Sequence, residues 1–380
     1  MLSKLRVQHY KSLFDTTVDL EPLTVFIGPN GSGKSNICEA LAVLSNFLQQ
    51  LIHRGINTDN TKDFFAESLR FISQNPQSLE AKFWQGKLDD IFFEVSTSLK
   101  ITTASSINIL LTLGLRFIYS QEKVAMKIPL GITNQSTGFE QKSISALREA
   151  LVDHEYPESE LAYDLRRVKI YDFAPTSLSN IVHSPDEMNR SGQGIAYTLL
   201  DILLDNRESF DELEDRLVKL VPNIKRISLQ RGSTQNVSLE LIDKYSEHHI
   251  PASDISDGTL RILAFLTALY QKSTPSIICF EEIENGVHPW LLHKMMELLK
   301  IVSTEGINGK PVQVLITTHS PVLLNYVEPY QVRAVELDDE GKTQVHALPT
   351  DSMRFQKALE AYDGSLGELW FTNVFGGNPA

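Results

Sequence analysis

The sequence predicts an α/β fold in which a mixed sheet lobe with an antiparallel meander is joined to a helical lobe. Three observations carry this expectation. The apolar run Leu23-Thr24-Val25-Phe26-Ile27 opens into Gly28-Pro29-Asn30-Gly31-Ser32-Gly33-Lys34-Ser35. Apolar residues then recur at helical spacing, at Ile37, Leu41, Leu44, Leu48 and Leu51. From Ile91 to Leu130 the apolar period becomes strand-like, which suggests the meander. Two later apolar runs, 276–280 and 312–317, each end in residues that carry chemistry and read as strands buried on both faces.

Taken in order, residues 1–27 read as strands, with Leu5, Val7 and His9 alternating against Arg6 and Gln8. Residues 36–75 read as mostly helical, with a polar break at Gly55 to Asn60. The meander comprises Ile91 to Val95, Ile107 to Leu115, Phe117 to Tyr119 and Val124 to Ile128, with a turn at Gln121-Glu122-Lys123. Residues 132–165 are polar and helix-leaning, and Pro157-Glu158-Ser159-Glu160 reads as a solvated break. Val168 to Phe173 is a short strand ended by Ala174-Pro175. Ala196 to Asp205 and Phe210 to Leu220 read as helices. Ile227-Ser228-Leu229 and Val237 to Leu241 alternate across Arg231-Gly232-Ser233 as a hairpin. Helix 259–270, strand 276–280, helix 289–302 and strand 312–317 follow. A hairpin around Asp338 to Gly341 precedes a Gly- and aromatic-rich close from Gly364 to Pro379.

The 380 residues are 42% hydrophobic and 22% charged, an ordinary globular balance. A net charge of −13 argues against a generally basic nucleic-acid coat. Cys38 and Cys279 both fall in apolar segments, so no disulfide framework is expected. The start lacks a signal-peptide pattern, and the apolar window from Ile107 to Tyr119 is too short to span a bilayer and contains Arg116. A soluble, cytoplasmic protein without membrane partners is the expectation.

The loop from Gly28 to Ser35 fits a phosphate cradle. Glycines let backbone N–H groups point inward, and the following helix contributes its positive end. Lys34 would reach the β- and γ-phosphates, and the Ser35 hydroxyl would ligate Mg²⁺. Ser276 to Glu282 is a strand ending in two carboxylates. Beside such a loop, Glu281 can serve Mg²⁺ and Glu282 can polarise an attacking water. Ser253 to Thr259 is a polar turn before a strongly apolar helix, with Ser256 or Asp257 as N-cap. Capping accounts for it by itself, while its functional reading is a second anion-binding helix start. Val312 to Pro321 ends in Thr317-Thr318-His319-Ser320, where His319 can sense a γ-phosphate by hydrogen bond.

Together these segments carry a resemblance. Gly28 to Ser35 matches Walker A, Glu281-Glu282 the end of Walker B, Ile255-Ser256-Asp257-Gly258 the ABC signature, and His319 the switch histidine. The chain resembles the bacterial predicted ATPases related to RecF, to SMC heads and to the ATPase half of OLD-family proteins. Ser256 to Arg261, Glu282 to Pro289, Thr318 to Pro321 and Leu366 to Trp370 match in detail, and the likeness covers nearly the whole chain.

The resemblance implies a P-loop NTPase of the ABC and SMC-head type, one domain in two lobes. The boundaries fall at about 1–170 for the Walker A lobe with its meander, 171–270 for the signature lobe, 271–349 for the Walker B and switch strands, and 350–380 for the tail. It implies ATP and Mg²⁺ as cofactors. Asn30, Gly31, Ser32, Gly33, Lys34, Ser35, Asn36, Ser256 and Gly258 would bind nucleotide. Ser35 and Glu281 would hold the metal, and Glu282, His319 and Lys34 would serve catalysis. Further implications are a homodimer or higher oligomer closed around ATP and a separate effector such as a nuclease in antiphage defence. The alternative is a DNA-binding ATPase of repair or maintenance.

The chain departs from the pattern at three places. Glu281 stands where many ABC proteins have Asp, His288 stands at the D-loop Asp position, and the Q-loop glutamine has four candidates in Gln49, Gln74, Gln77 and Gln85. Tyr10-Lys11-Ser12 falls where such heads contact nucleotide. Neither a coiled-coil arm nor a fused Toprim nuclease is expected.

Overall fold

A computed structural model describes residues 1–54, 80–87, 89–102, 106–118, 123–127, 163–180, 187–232, 236–307 and 309–377. Along the chain run β1 (Leu2–Tyr10), β2 (Leu13–Asp19), β3 (Leu23–Ile27), α1 (Lys34–Arg54), β4 (Ile91–Thr102), β5 (Ser106–Ile118), β6 (Lys123–Lys127) and β7 (Val168–Tyr171). Next come α2 (Pro175–Leu178), α3 (Ile195–Asp205), α4 (Arg207–Leu220), β8 (Ile224–Arg231), β9 (Val237–Asp243), β10 (His249–Pro251), α5 (Asp257–Tyr270), β11 (Ile277–Glu281) and α6 (Pro289–Thr304). The chain continues with β12 (Gln313–Thr318), α7 (Pro321–Leu324), β13 (Val332–Leu337), β14 (Thr343–Ala347), α8 (Met353–Ala361) and α9 (Leu366–Phe371). The expected polar breaks at 55–60 and 157–160 and the turn at 121–122 lie outside the described residues.

Contacts divide the chain into two compact units. One holds Met1–Val168, Pro275–Ile278 and Val312–Ala380, the other Lys169–Thr274 and Cys279–Pro311.

In the first unit, β2-β1-β4-β5-β6 form a five-stranded antiparallel sheet, in which Leu5 opposes Val18 on one side and Val95 on the other. β1 buries Leu5 and Val7 as its alternation specifies, but His9, with φ +57, is only half-buried and Tyr10 is buried in its stead; the expected meander is β4-β5-β6, with the segments expected at 107–115 and from 117 joined in the single strand β5. The second sheet of this unit holds β14, β13, β3 and β12 in that order. β3 runs parallel to both neighbours, with Ile27 opposite Thr318 of β12 and Ala334 of β13, whereas β13 and β14 form an antiparallel hairpin. The sheet is therefore mixed. β3 and β12 are buried throughout, as continuous apolar runs in parallel strands demand. Their level carboxyl ends make the sheet edge at which ligands bind in open α/β folds.

The second unit is less purely helical than the signature lobe was expected to be. It contains the antiparallel sheet β10-β9-β8 beside α3, α4 and α5. The predicted hairpin is present, with Leu229 opposite Leu239. α5 is buried at Leu260 and from Ile262 to Tyr270, an almost wholly apolar helix serving as the unit's core. Arg216 of α4 donates to the Tyr270 hydroxyl at 2.6 Å, tying α4 to the end of α5.

Candidate functional site

The candidate site of the first unit is the loop between β3 and α1. Gly33 adopts φ +104, and a Cβ there would lie 2.1 Å from Thr343 Oγ1 and 2.8 Å from Ser12 Oγ. Only glycine supplies both the conformation and the clearance. The loop is braced by a relay of polar groups. Asn36 Nδ2 donates to Ser12 Oγ at 2.8 Å, and Thr343 Oγ1 lies 2.7 Å from Ser12 Oγ and 2.9 Å from the Ser32 carbonyl. A carbonyl only accepts, so the single Thr343 proton goes to Ser32 and Ser12 donates to Thr343.

Lys34 is 5% exposed. Its ammonium folds back over the loop, donating to Gly28 O at 2.9 Å and Pro29 O at 2.8 Å. Ser32 Oγ is buried without a partner, an unmet donor in a cradle of backbone amides. Ser35 follows in the first turn of α1, half-buried, and Asn30 and Gly31 are exposed at the loop's outer side. Of the neighbouring Tyr10-Lys11-Ser12, Tyr10 is buried, Lys11 pairs with Glu39, and Ser12 enters the brace.

His319 follows β12 directly. The register that sets Thr318 against Ile27 brings His319 beside the start of the phosphate loop, half-buried. The tail, which sequence reasoning read only as Gly- and aromatic-rich, supports both strand ends. Asn325 Oδ1 accepts from Gly367 N at 2.9 Å, fixing α9 to the helix that follows the His319 turn. Trp370 Nε1 donates to Gly377 O at 3.2 Å, and Glu336 Oε2 accepts from Gly377 N at 3.0 Å.

The second unit carries its own cluster of candidate residues. Glu281 closes β11 with its side chain 7% exposed, and Arg190 is hydrogen-bonded to its Oε2, while Oε1 is buried without a partner. Glu282 has φ +47, unusual for a non-glycine residue, and its Oε2 accepts from Asn285 Nδ2 at 2.6 Å. That backbone turns the chain sharply off the strand, and such outliers concentrate at functional sites.

The turn ends at Gly286, whose carbonyl would lie 2.7 Å from a Cβ on Gly258, so the signature helix and the turn after Glu282 meet backbone to backbone. Ser256 is the N-cap of α5, with Oγ accepting from Thr259 N at 3.3 Å, and it remains exposed. His288, at the D-loop position, caps α6 by accepting from Trp290 N at 3.2 Å. Gln49 is half-buried on α1 and Gln85 is exposed; Gln74 and Gln77 lie outside the described residues.

Among the described residues no three His, Cys, Asp or Glu side chains gather as a metal site. Taken each by itself, the Ser35 hydroxyl of the first unit and the Glu281 carboxylate of the second are hard oxygen donors of the kind that suits Mg²⁺, which keeps most of its shell for phosphate and water.

Residues 23–325 match the family model described as "AAA domain, putative AbiEii toxin, Type IV TA system". The chain belongs to this AAA family. The AAA protein is 24% identical over 397 residues, 98% of each chain, to a Helicobacter pylori protein named ATP/GTP phosphatase. It is similar to the crystal structure of an Smc head bound to the C-winged helix domain of ScpA, with 15% identity, TM-score 0.55, and coverage of 92% of this chain and 99% of that one. It is also similar to an Smc head with an extended coiled coil bound to the C-terminal domain of ScpA derived from Pyrococcus furiosus, with 12% identity, TM-score 0.55, and coverage of 95% and 99%. These likenesses show the fold, that of an SMC-type P-loop head. Family and relatives together make the chain an AAA-type ATPase with the fold of an SMC head. Among the described residues no helix is long and apolar enough to cross a membrane.

Proposed function

We propose that this AAA ATPase binds ATP with Mg²⁺, closes around it as a head-to-tail dimer, and through hydrolysis regulates a separate effector protein, such as a nuclease, in antiphage defence. The observation that carries the nucleotide half is the braced loop, with the Lys34 ammonium folded over it and the unpartnered Ser32 hydroxyl within it. In this reading Lys34 and the amides around Asn30, Gly31, Ser32 and Gly33 bind the phosphates, with Asn36 bracing the loop. Ser35 and Glu281 hold the metal, which when bound offsets charge on the β- and γ-phosphates. Glu282 orients and polarises the attacking water, and His319 hydrogen-bonds to the γ-phosphate. Ser256 and the amides up to Gly258 serve the nucleotide of the partner copy; the exposure of Ser256 supports that role.

The family description, which speaks of a putative toxin of a type IV TA system, supports a toxin–antitoxin type of setting. The net charge of −13 favours a protein over DNA as partner. A second reading, a DNA-binding ATPase of repair or maintenance, draws on the likeness to Smc heads.

The separate-effector reading makes a direct prediction. The purified chain, incubated with supercoiled plasmid, Mg²⁺ and ATP, leaves the plasmid intact. Cleavage that disappears on substitution within this chain refutes it. DNA retention in a gel-shift assay at physiological salt supports the second reading instead.

A further inference from the structure

The contact between Arg190 and Glu281 joins residues far apart in sequence and puts a cation on the carboxylate expected to serve a metal. We propose that Arg190 is a positioning residue that occupies Glu281 Oε2 and gives it up to the divalent cation, so that guanidinium and metal exchange on one oxygen. The inference rests on the reading of Glu281 as a metal ligand.

Three features of the second unit point to exchange rather than a fixed structural pair. First, Glu281 Oε1 is buried without a partner. A pair selected for rigidity uses both carboxylate oxygens, since a buried oxygen left unmet weakens the structure. Oε1 is closed off from solvent and Arg190 is hydrogen-bonded to the other oxygen, so the exchange is placed at Oε2. Second, the Glu281 side chain is 7% exposed but that of Arg190 is 43% exposed, so the guanidinium can withdraw into water while the carboxylate stays in place.

Third, the backbone under Arg190 is fixed. Asn189 Oδ1 accepts from Ser191 N at 3.0 Å, Ser191 Oγ at 2.9 Å and Gln193 N at 3.1 Å, forming a tight turn. That turn is laced to the chain after β7 by Asp172 N to Arg190 O at 2.8 Å and Ala174 N to Ser191 O at 3.0 Å. Movement is thereby confined to the arginine side chain. A cation held there keeps a buried carboxylate compensated and aimed outward until the metal arrives.

The test measures metal affinity, with Mn²⁺ as a spin probe for the Mg²⁺ site. Free Mn²⁺ is followed by electron paramagnetic resonance as it is titrated into the full chain with a non-hydrolysable ATP analogue. Arg190→Ala removes the competing charge and tightens Mn²⁺ half-saturation by about tenfold. Arg190→Lys, which restores a cation, stays within about twofold of wild type. Glu281→Gln weakens Mn²⁺ binding, and adding Arg190→Ala to it brings no tightening.

Thermal melts form the second readout. Arg190→Ala, left with an uncompensated carboxylate, is less stable without metal and gains a larger Mn²⁺-induced rise in Tm than wild type. Unchanged or weaker Mn²⁺ binding in Arg190→Ala, with Glu281→Gln weakened as expected, overturns the exchange alone. Unchanged binding in Glu281→Gln overturns the metal-ligand reading and the exchange with it.

Discussion

Lys34→Ala lowers the affinity for ATP by about 100-fold or more, measured by isothermal calorimetry, and abolishes turnover with it. Lys34 is 5% exposed and its ammonium makes two hydrogen bonds to loop carbonyls, so its position is set before nucleotide arrives. Phosphate oxygens offer it charged acceptors in place of neutral ones, and charge-assisted bonds are roughly twice as strong. The substitution removes that gain and leaves Gly28 O and Pro29 O without this donor. Lys34 also lies in the first turn of α1, where alanine is well tolerated, so the helix persists and the loss is one of binding. Wild-type affinity in the variant contradicts the phosphate-loop reading.

Glu282→Gln has the opposite signature. ATP binding is retained, turnover falls by about 100-fold, and the protein accumulates as an ATP-bound dimer on size-exclusion chromatography. Glutamine keeps the shape of the side chain and an acceptor for Asn285 Nδ2, so the turn at φ +47 is preserved. The charge that polarises water is lost. Turnover within a few-fold of wild type moves the role to another acid, with Glu284, two residues along the same turn, the next to replace.

The parts of the site that were legible in the sequence are local ones. The buried run of β3, the glycines and Lys34 stand within twelve residues of one another, and each strand end carrying Glu281 or His319 is announced by its own apolar run. The brace was not legible. Ser12 and Thr343 are 331 residues apart, and they meet because β13 pairs with β3 and β14 returns beside β13, an order no local pattern encodes. Arg190 sits in a polar turn whose Asn-Arg-Ser-Gly reads as an ordinary loop; its meaning comes only from the 91-residue separation closed at Glu281. The helix α9 is six residues long, too short to show a helical period. The third strand of the second unit, β10, has three residues and leaves no alternation to detect.

His288 shows how one position can be read two ways. Its place in the sequence suggests a departure from the D-loop pattern, and the structure gives it a local task that an aspartate would also perform, capping α6 through Trp290 N. Ser256 likewise caps α5 and stays exposed, so the same hydroxyl can serve a helix start and a ligand brought by another copy.

Mixing two inactive proteins distinguishes a nucleotide site shared between copies from one built by a single chain. Lys34→Ala lacks the cradle lysine, and Ser256→Arg places a bulky cation at the signature. Each homodimer is nearly inactive. In a heterodimer one nucleotide site combines both defects, and the other pairs an intact phosphate loop with an intact signature. The account predicts that ATPase activity returns on mixing, rising with the heterodimer fraction measured in parallel. If Ser256 instead serves the nucleotide of its own chain, no mixing ratio creates an intact site. Absence of activity at every ratio, together with a protein that stays monomeric at saturating ATP, contradicts the shared-site dimer.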